Sequence, residues 1–258
     1  QLLHNDSLTT HISCIPTTPE KYKEYKSWKK PKNKPQQANV IQFIVVKNDS
    51  IIAGPISNTY WIGFNPTKNT LPVMSLCIDT FDLYNHQNGL FVPGTNYNRD
   101  NPEWTGNYHQ KGTAWQRPIH IQYFDKEYNK LLDKPLEFRV HGLRTPIAPQ
   151  KGLRIYADNT PIDNIFFNDR KYDKLSRFII RTPFSSWGES LIKDLVSAEL
   201  TKPLDLENMC FQPTTVYLNG EFWGIYNIRE RIDNTYLATL YGLNKDEVHI
   251  IDGRKKIK

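Results

Sequence analysis

The chain has 258 residues, 38% of them hydrophobic and 12% aromatic, with a formal net charge of +6 and a mean hydropathy of −0.60. That length can bury one large core, or a large one and a small one, and no apolar run approaches the ~18–20 residues of a membrane-spanning helix. The positive excess is local, with seven Lys against two Glu in residues 20–34 and four more cations in Arg254–Lys258, so the fold-wide basic stripe with interleaved aromatics that marks a nucleic-acid module is missing and nucleic acid is not an expected partner.

In chain order, Gln1-Leu2-Leu3-His4-Asn5 has neither a basic n-region nor an apolar h-region, so no targeting segment is read there. The lysines around Pro31 and Pro35 read as a solvated run. Val40–Val46 and Thr59–Gly63 are short strand candidates. From Leu71 the pattern is sheet-rich: Leu71–Asp79, Gly89–Pro93, Ile119–Phe124, Leu136–His141 and Gly152–Ala157 read as strands. Between Pro93 and Ala114 lies a Gly/Asn-rich loop with Tyr97, Trp104 and Tyr108. Loops of that length serve a function or insert on a scaffold. Its aromatics could stack on sugars, although packing within the loop is the commoner use.

Ser186-Trp187-Gly188-Glu189 has the form of a capping box, and Leu191, Ile192, Leu195 and Ala198 follow at helical spacing before Pro203. A helix is expected over Glu189–Lys202, packing Leu191 and Leu195 on the sheet. Phe211–Leu218 and Phe222–Ile228 flank Asn219-Gly220, the dipeptide that best supplies the two positive φ angles of a type I′ turn, so a tight hairpin is expected. Its second strand runs into the charged exit Arg229-Glu230-Arg231, then Ile232-Asp233. A further helix is expected over Asn234–Tyr241, with Gly242 as its C-cap.

Cys14, Cys77 and Cys210 are too few and too scattered for a disulfide framework or a zinc site; Cys77 and Cys210 read as small buried hydrophobes. The seven histidines include no H-E-x-x-H, and no protein-ligated metal is expected.

The run Val216–Asp233, V-Y-L-N-G-E-F-W-G-I-Y-N-I-R-E-R-I-D, resembles the signature of the spore-coat-protein-H (CotH) kinase family. Leu71–Gly94, Asn107–Asp125, Arg139–Tyr156 (R-V-H-G-L-R-T-P-I-A-P-Q-K-G-L-R-I-Y) and Phe178–Leu200 are similar to other family segments, in the right order. The resemblance spans roughly residues 64 to 252. Residues 39–60 more briefly resemble the end of a β-sandwich repeat of the chitobiase carboxy-terminal type. The fold class expected is therefore α+β: a partial sandwich-like segment over 1–63, then over 64–258 a mixed sheet with one or two packed helices, resembling the N-lobe and hinge of an atypical kinase.

Phosphoryl transfer needs a fixed cation on the nucleotide phosphates, a carboxylate orienting that cation, magnesium ligands and an acid near the attacking hydroxyl. Lys151 matches the family motif as the phosphate cation, with Arg144 and Arg154 as neighbours of like function. Asp194 or Glu199 would orient it, and Glu230 matches the acid at the nucleotide-docking exit. The alternative is a strand-edge lysine, an exposed helix acid and an ion-paired Glu230 tied to Arg229 or Arg231. Gln116 and Gln150 stand where the family more often has charged residues, and there is no G-x-G-x-x-G loop. The family's proposed catalytic and magnesium-binding Asp residues lie downstream of the hinge, and Asp246 and Asp252 come too early to match them. The catalytic residues are thus unknown, and these residues alone are expected to transfer no phosphate.

The resemblance implies ATP and magnesium as cofactors of a full-length Ser/Thr kinase, a protein substrate or cell-surface component as partner, and an extracellular or cell-surface location. Two other readings stay open: a non-catalytic surface or adhesion module, and a carbohydrate-binding protein using the Tyr97–Trp115 loop, for which Glu103 by itself is poor support as a glycosidase carboxylate.

Overall fold

The computed structural model describes residues 15, 17, 18, 29, 31–170, 172–204, 206–252 and 255–257. Cys14, most of the lysine-rich run and part of the basic tail lie outside them.

A ribbon of β1 (Asn39–Lys47) and β2 (Ser50–Tyr60) comes first. Seven strands then form the body: β3 (Val73–Cys77), β4 (Arg117–Phe124), β5 (Lys130–His141), β6 (Gly152–Tyr156), β9 (Arg177–Arg181), β10 (Phe211–Leu218) and β11 (Glu221–Glu230). Two short ribbons, β7 (Ile162–Asp163) with β8 (Lys174–Leu175) and β12 (Ile250–Asp252) with β13 (Lys255–Ile257), stand apart. The helices are α1 (Thr80–Tyr84), α2 (Lys193–Thr201) and α3 (Asn234–Tyr241). The fold is α+β and mostly sheet. The mixed sheet closes into a barrel of order β10-β11-β9-β6-β5-β4-β3, and closure is what the sequence pattern did not announce. Every neighbouring pair is antiparallel except β3 with β10, which run parallel from Val73↔Thr215 to Leu76↔Leu218.

Side chains alternate between the faces of a strand, and each barrel strand sends its apolar alternates inward. Leu76, Ile121, Phe138, Ile155, Phe178, Ile180 and Ile228 are all at most 2% exposed, each contributing roughly 1.5–3 kcal/mol of transfer free energy. The β10–β11 hairpin forms as expected, with Asn219 at φ 48° and Gly220 at φ 85°. Glycine is required there: a Cβ on Gly220 would stand 2.7 Å from the Ala38 carbonyl oxygen. The Asn219 amide also ties this turn to β3, donating to Ile78 O and accepting from Ile78 N–H, both at 2.8 Å. Helix α3 likewise has the expected bounds, capped by the Asp233 side chain at one end and by Gly242 at φ 66° at the other.

Three expectations are corrected. Gly89–Pro93 is a turn, not a strand. The Asn85 side chain accepts from the amides of Gln87 and Asn88, winding the chain back so that Leu90 and Phe91 donate to Asp82 O and Leu83 O, both at 2.8 Å. Thr59–Gly63 is not a strand either. β2 ends at Tyr60, and Trp61 turns into a cluster with Phe64, Phe124, Tyr128 and Tyr217, its ring centroid 5.0–5.2 Å from each. The capping box does not form. Ser186 ends a 3-10 turn and donates its Oγ to Pro183 O, Leu191 sits at φ 60°, and α2 begins only at Lys193 with no side-chain cap. Leu195 is its one buried residue. Leu191, expected beside it, precedes the helix and is half-buried.

Candidate functional site

The candidate site is built by strand register. β5, β6, β9 and β11 are neighbours, with Arg139 paired to Arg154, Arg154 to Ile179 and Ile179 to Arg229. Tyr156↔Arg177 and Asn227↔Arg181 flank this row. Paired residues share a face, and the intervening residues Phe138, Val140, Leu153, Ile155, Phe178, Ile180 and Ile228 fill the core. Arg139, Arg154, Arg177, Arg181, Arg229 and, two residues on, Arg231 therefore crowd the outer face.

Three carboxylates answer these six guanidinium groups. Asp194 of α2 accepts on one oxygen from Arg229 at 2.9 Å and Arg181 at 3.0 Å. Asp233 takes Arg231 at 2.9 Å and Arg177 at 3.4 Å. Asp158 takes Arg177 at 2.8 Å. Among the described residues, no carboxylate pairs with Arg139 or Arg154. The Nε atoms of Arg139, Arg154 and Arg229 are buried without a hydrogen-bond partner. Such orphaned donors carry a desolvation cost that an anion would relieve.

His141 sits among these groups and accepts on Nδ1 from Arg154 Nη2 at 3.3 Å, which requires the neutral ring with its proton on Nε2. Burial, together with the charges of Arg154, Arg231, Arg181 and Arg139, pushes its pKa down to about 3. The same crowding acts on Arg231, where burial and Arg154 lower the pKa against the pull of Asp233.

Of the residues that the sequence singled out, Arg154 and Asp194 lie on this face. Lys151 does not. It shares the inward parity of Leu153 and Ile155 and is 1% exposed. Its Nζ donates to Pro146 O at 2.6 Å, Thr17 O at 2.9 Å and Ala148 O at 3.0 Å, and lies 4.2 Å from the centroid of the Tyr108 ring. Burial holds its pKa well below the usual lysine range, but three carbonyls on three N–H donors is the geometry of the ammonium form, and we assign that form. The expected Lys151–Asp194 pair is absent, because Asp194 is taken by Arg229 and Arg181; Glu199 pairs with Lys202 at 2.7 Å.

Glu230 is also turned inward and is fully buried. It accepts from Arg170 Nε at 2.7 Å and Nη2 at 2.9 Å, from the Tyr172 hydroxyl, and from the Cys210 amide at 2.6 Å. It is an ion-paired acid, but its partner is Arg170 and not Arg229 or Arg231. Cys210 beside it is half-buried, not fully buried; burial and the Glu230 charge raise its thiol to about 11. Arg144 is exposed on the loop between β5 and β6, paired with Glu103 at 2.6 Å and lying 5.8 Å over the Trp104 ring. Tyr108 is buried and Trp115 packs on the core, so these aromatics of the long loop are used in packing.

Arg139, Arg177, Arg181 and His141 were not singled out from sequence. The signal was present in R-V-H, R-I-Y and R-F-I-I-R, in which polar or charged residues recur at even spacing on strands whose alternates are apolar.

The family model described as CotH kinase protein matches residues 138–257, a stretch holding β6, β9, β11, α2 and every arginine of the outer face. Over that stretch the chain is similar to the CotH family. A search of curated proteins found no match. The CotH segment thus carries the arginine face from Arg139 onward, while β3 and β4, which complete the barrel, precede it.

Proposed function

We propose that the arginine face holds the phosphates of ATP, and that the chain is the nucleotide-binding portion of a magnesium-dependent CotH-type kinase. In this reading residues 64–258 form its N-lobe and hinge, and the phosphate acceptors are Ser or Thr of surface or coat proteins. The observation that carries the proposal is the excess of cation over carboxylate around Arg139 and Arg154, with three buried Nε donors unpartnered. Phosphoryl transfer depends on positioned cations held by a carboxylate. A helix-borne acid bridging two strand-borne cations, Asp194 on Arg181 and Arg229, has that form. Magnesium would supply neutralisation of the charge on the transferred phosphoryl group. Among the described residues no group of three or more His, Cys, Asp or Glu is placed to hold a metal ion.

The extracellular or cell-surface setting rests on the family resemblance. No helix of the described residues is long and apolar enough to cross a membrane.

Titration with Mg-ATP and with inorganic tripolyphosphate tests the reading. Saturable binding that weakens tenfold or more in Arg154→Ala and Arg139→Ala is expected, since each removes a charge-assisted contact of about 1.5–3 kcal/mol. Binding unchanged in both variants would dismiss the face as the phosphate site. Phosphotransfer measured on the whole natural protein then separates a working kinase from a non-catalytic module that keeps the fold.

A further inference from the structure

The arginines of the outer face are not all held alike. Arg181 and Arg229 are aimed by Asp194, Arg231 by Asp233, and Arg177 by Asp158 and Asp233. Each of these acceptors is charged, and cancels part of the charge that it directs. Arg154 differs. Among the described residues its one hydrogen-bond acceptor is His141 Nδ1, at 3.3 Å. A guanidinium that no carboxylate neutralises is therefore directed by an uncharged ring.

Strand geometry makes this contact. In Arg139-Val140-His141-Gly142, alternation sends Val140 into the core and puts Arg139 and His141 together on the outer face. Across to β6, Arg139 stands opposite Arg154, and His141 stands opposite Gly152. Gly152 has no side chain to intervene, so the ring meets its diagonal neighbour Arg154. The charged groups around the ring are all cations: Arg139 on its own strand, Arg154 on β6, Arg181 on β9 and Arg231 just beyond β11. With burial they hold its pKa at about 3, so Nδ1 keeps its lone pair at neutral pH.

We propose that His141 is a positioning residue of the phosphate site, fixing the Arg154 guanidinium through a neutral acceptor so that its positive charge stays available to a polyphosphate. The role rests on the phosphate reading of the arginine face. A carboxylate at this place would hold Arg154 more tightly, because charge-assisted hydrogen bonds are the stronger kind. It would also be a fixed anion beside the incoming one, and like charges repel strongly in a partly buried site. An imidazolium would have no lone pair to offer Arg154. The neutral ring both orients the cation and leaves its charge unspent.

The test is calorimetric titration of inorganic tripolyphosphate into the whole chain and into His141→Asn, His141→Asp and His141→Leu. Circular dichroism and urea midpoints check each fold. The Oδ1 atom of Asn or Asp takes the place of Nδ1, neutral in one and charged in the other. His141→Asn is expected within about threefold of wild type, and His141→Leu about five- to tenfold weaker. His141→Asp should bind at least about tenfold more weakly than His141→Asn, although its urea midpoint is no lower. A purely structural histidine would not separate Asn from Asp in that direction. Between about pH 5 and 8 the ratio of wild-type to His141→Asn affinity should stay constant, since the ligand's own ionisation is common to both. Equal binding by the Asn and Asp variants would overturn the proposal. So would a wild-type advantage that grows toward acid, which would make the ring a cation of the site. If His141→Asp folds poorly, the remaining pair decides, and His141→Leu binding as well as His141→Asn would overturn it. Binding lost in Arg154→Ala yet indifferent to His141 would remove this role alone; no binding by the wild type would remove the phosphate reading with it.

Discussion

Lys151, the residue before β6, and Arg154 within it lie three residues apart and face opposite sides of the sheet. The lysine points into the barrel, caged by three carbonyls, and the arginine points out toward His141. Their substitutions should separate cleanly. Lys151→Met is expected to cost about 2–4 kcal/mol of stability through the lost charged hydrogen bonds, read as a lower urea midpoint, while the folded fraction still binds tripolyphosphate. Arg154→Ala should do the reverse. Loss of phosphate binding by a stably folded Lys151→Met would return the lysine to the site.

Asp194 holds two strands' arginines through one carboxylate oxygen, and Leu195 is the one buried side chain of α2. Asp194→Asn should therefore loosen the helix more than the barrel. Faster amide exchange confined to 193–201, with a global cost of about 1–3 kcal/mol, is the expected outcome. Uniform acceleration across the barrel strands would show that the helix is not a separate unit.

Glu230 is buried with its charge matched by Arg170 and its remaining lone pairs by Tyr172 and the Cys210 amide. Glu230→Gln keeps the shape but leaves Arg170 facing a neutral amide. A loss of about 3–5 kcal/mol is expected, visible as a Tm lowered by roughly 6–20 °C at 2–4 °C per kcal/mol for a chain of this size. A change below 1 kcal/mol would show that Arg170 relies instead on Glu207, 2.8 Å away.

His141 titrates near 3 in the folded protein, against an ordinary value of 6.5. Between those values the unfolded chain binds the proton and the folded one does not, so this residue makes stability fall as pH drops from about 6.5 toward 3, by up to about 1.4 kcal/mol per pH unit. His109, lowered to about 4 by burial and by Lys151, adds to the same slope. His141→Asn should flatten the dependence of the urea midpoint on pH between 6 and 4.5. An unchanged slope would place the acid sensitivity elsewhere.

What the sequence disclosed was local. Asn219-Gly220 and the Asp233-to-Gly242 frame specify a turn and a helix through their own backbone demands, and both were legible. Ser186-Trp187-Gly188-Glu189 carried equally local signals, but Ser186 is consumed by the Pro183 carbonyl and the helix starts a turn later. The side of Lys151 was readable in principle from its phase with Leu153 and Ile155; a motif match outweighed the alternation. The arginine face could not be assembled from spacing, because Arg139, Arg154, Arg181 and Arg229 meet only once four strands are in register. Closure of the barrel was hidden for a similar reason, since β3 and β10 share no local pattern.

That last pairing sets a schedule for biosynthesis. Val73 must wait for Thr215, 142 positions later, and at ~5–20 residues per second the wait on the ribosome is roughly 7–28 s. Throughout it, the apolar faces of β3 and β4 have no complete barrel to enclose them. A nascent chain cut short before β10, or a recombinant piece restricted to 138–257, would present those surfaces or lack them. Yield of soluble protein should therefore depend on translation speed and chaperone supply more steeply than the stability of the finished barrel would suggest.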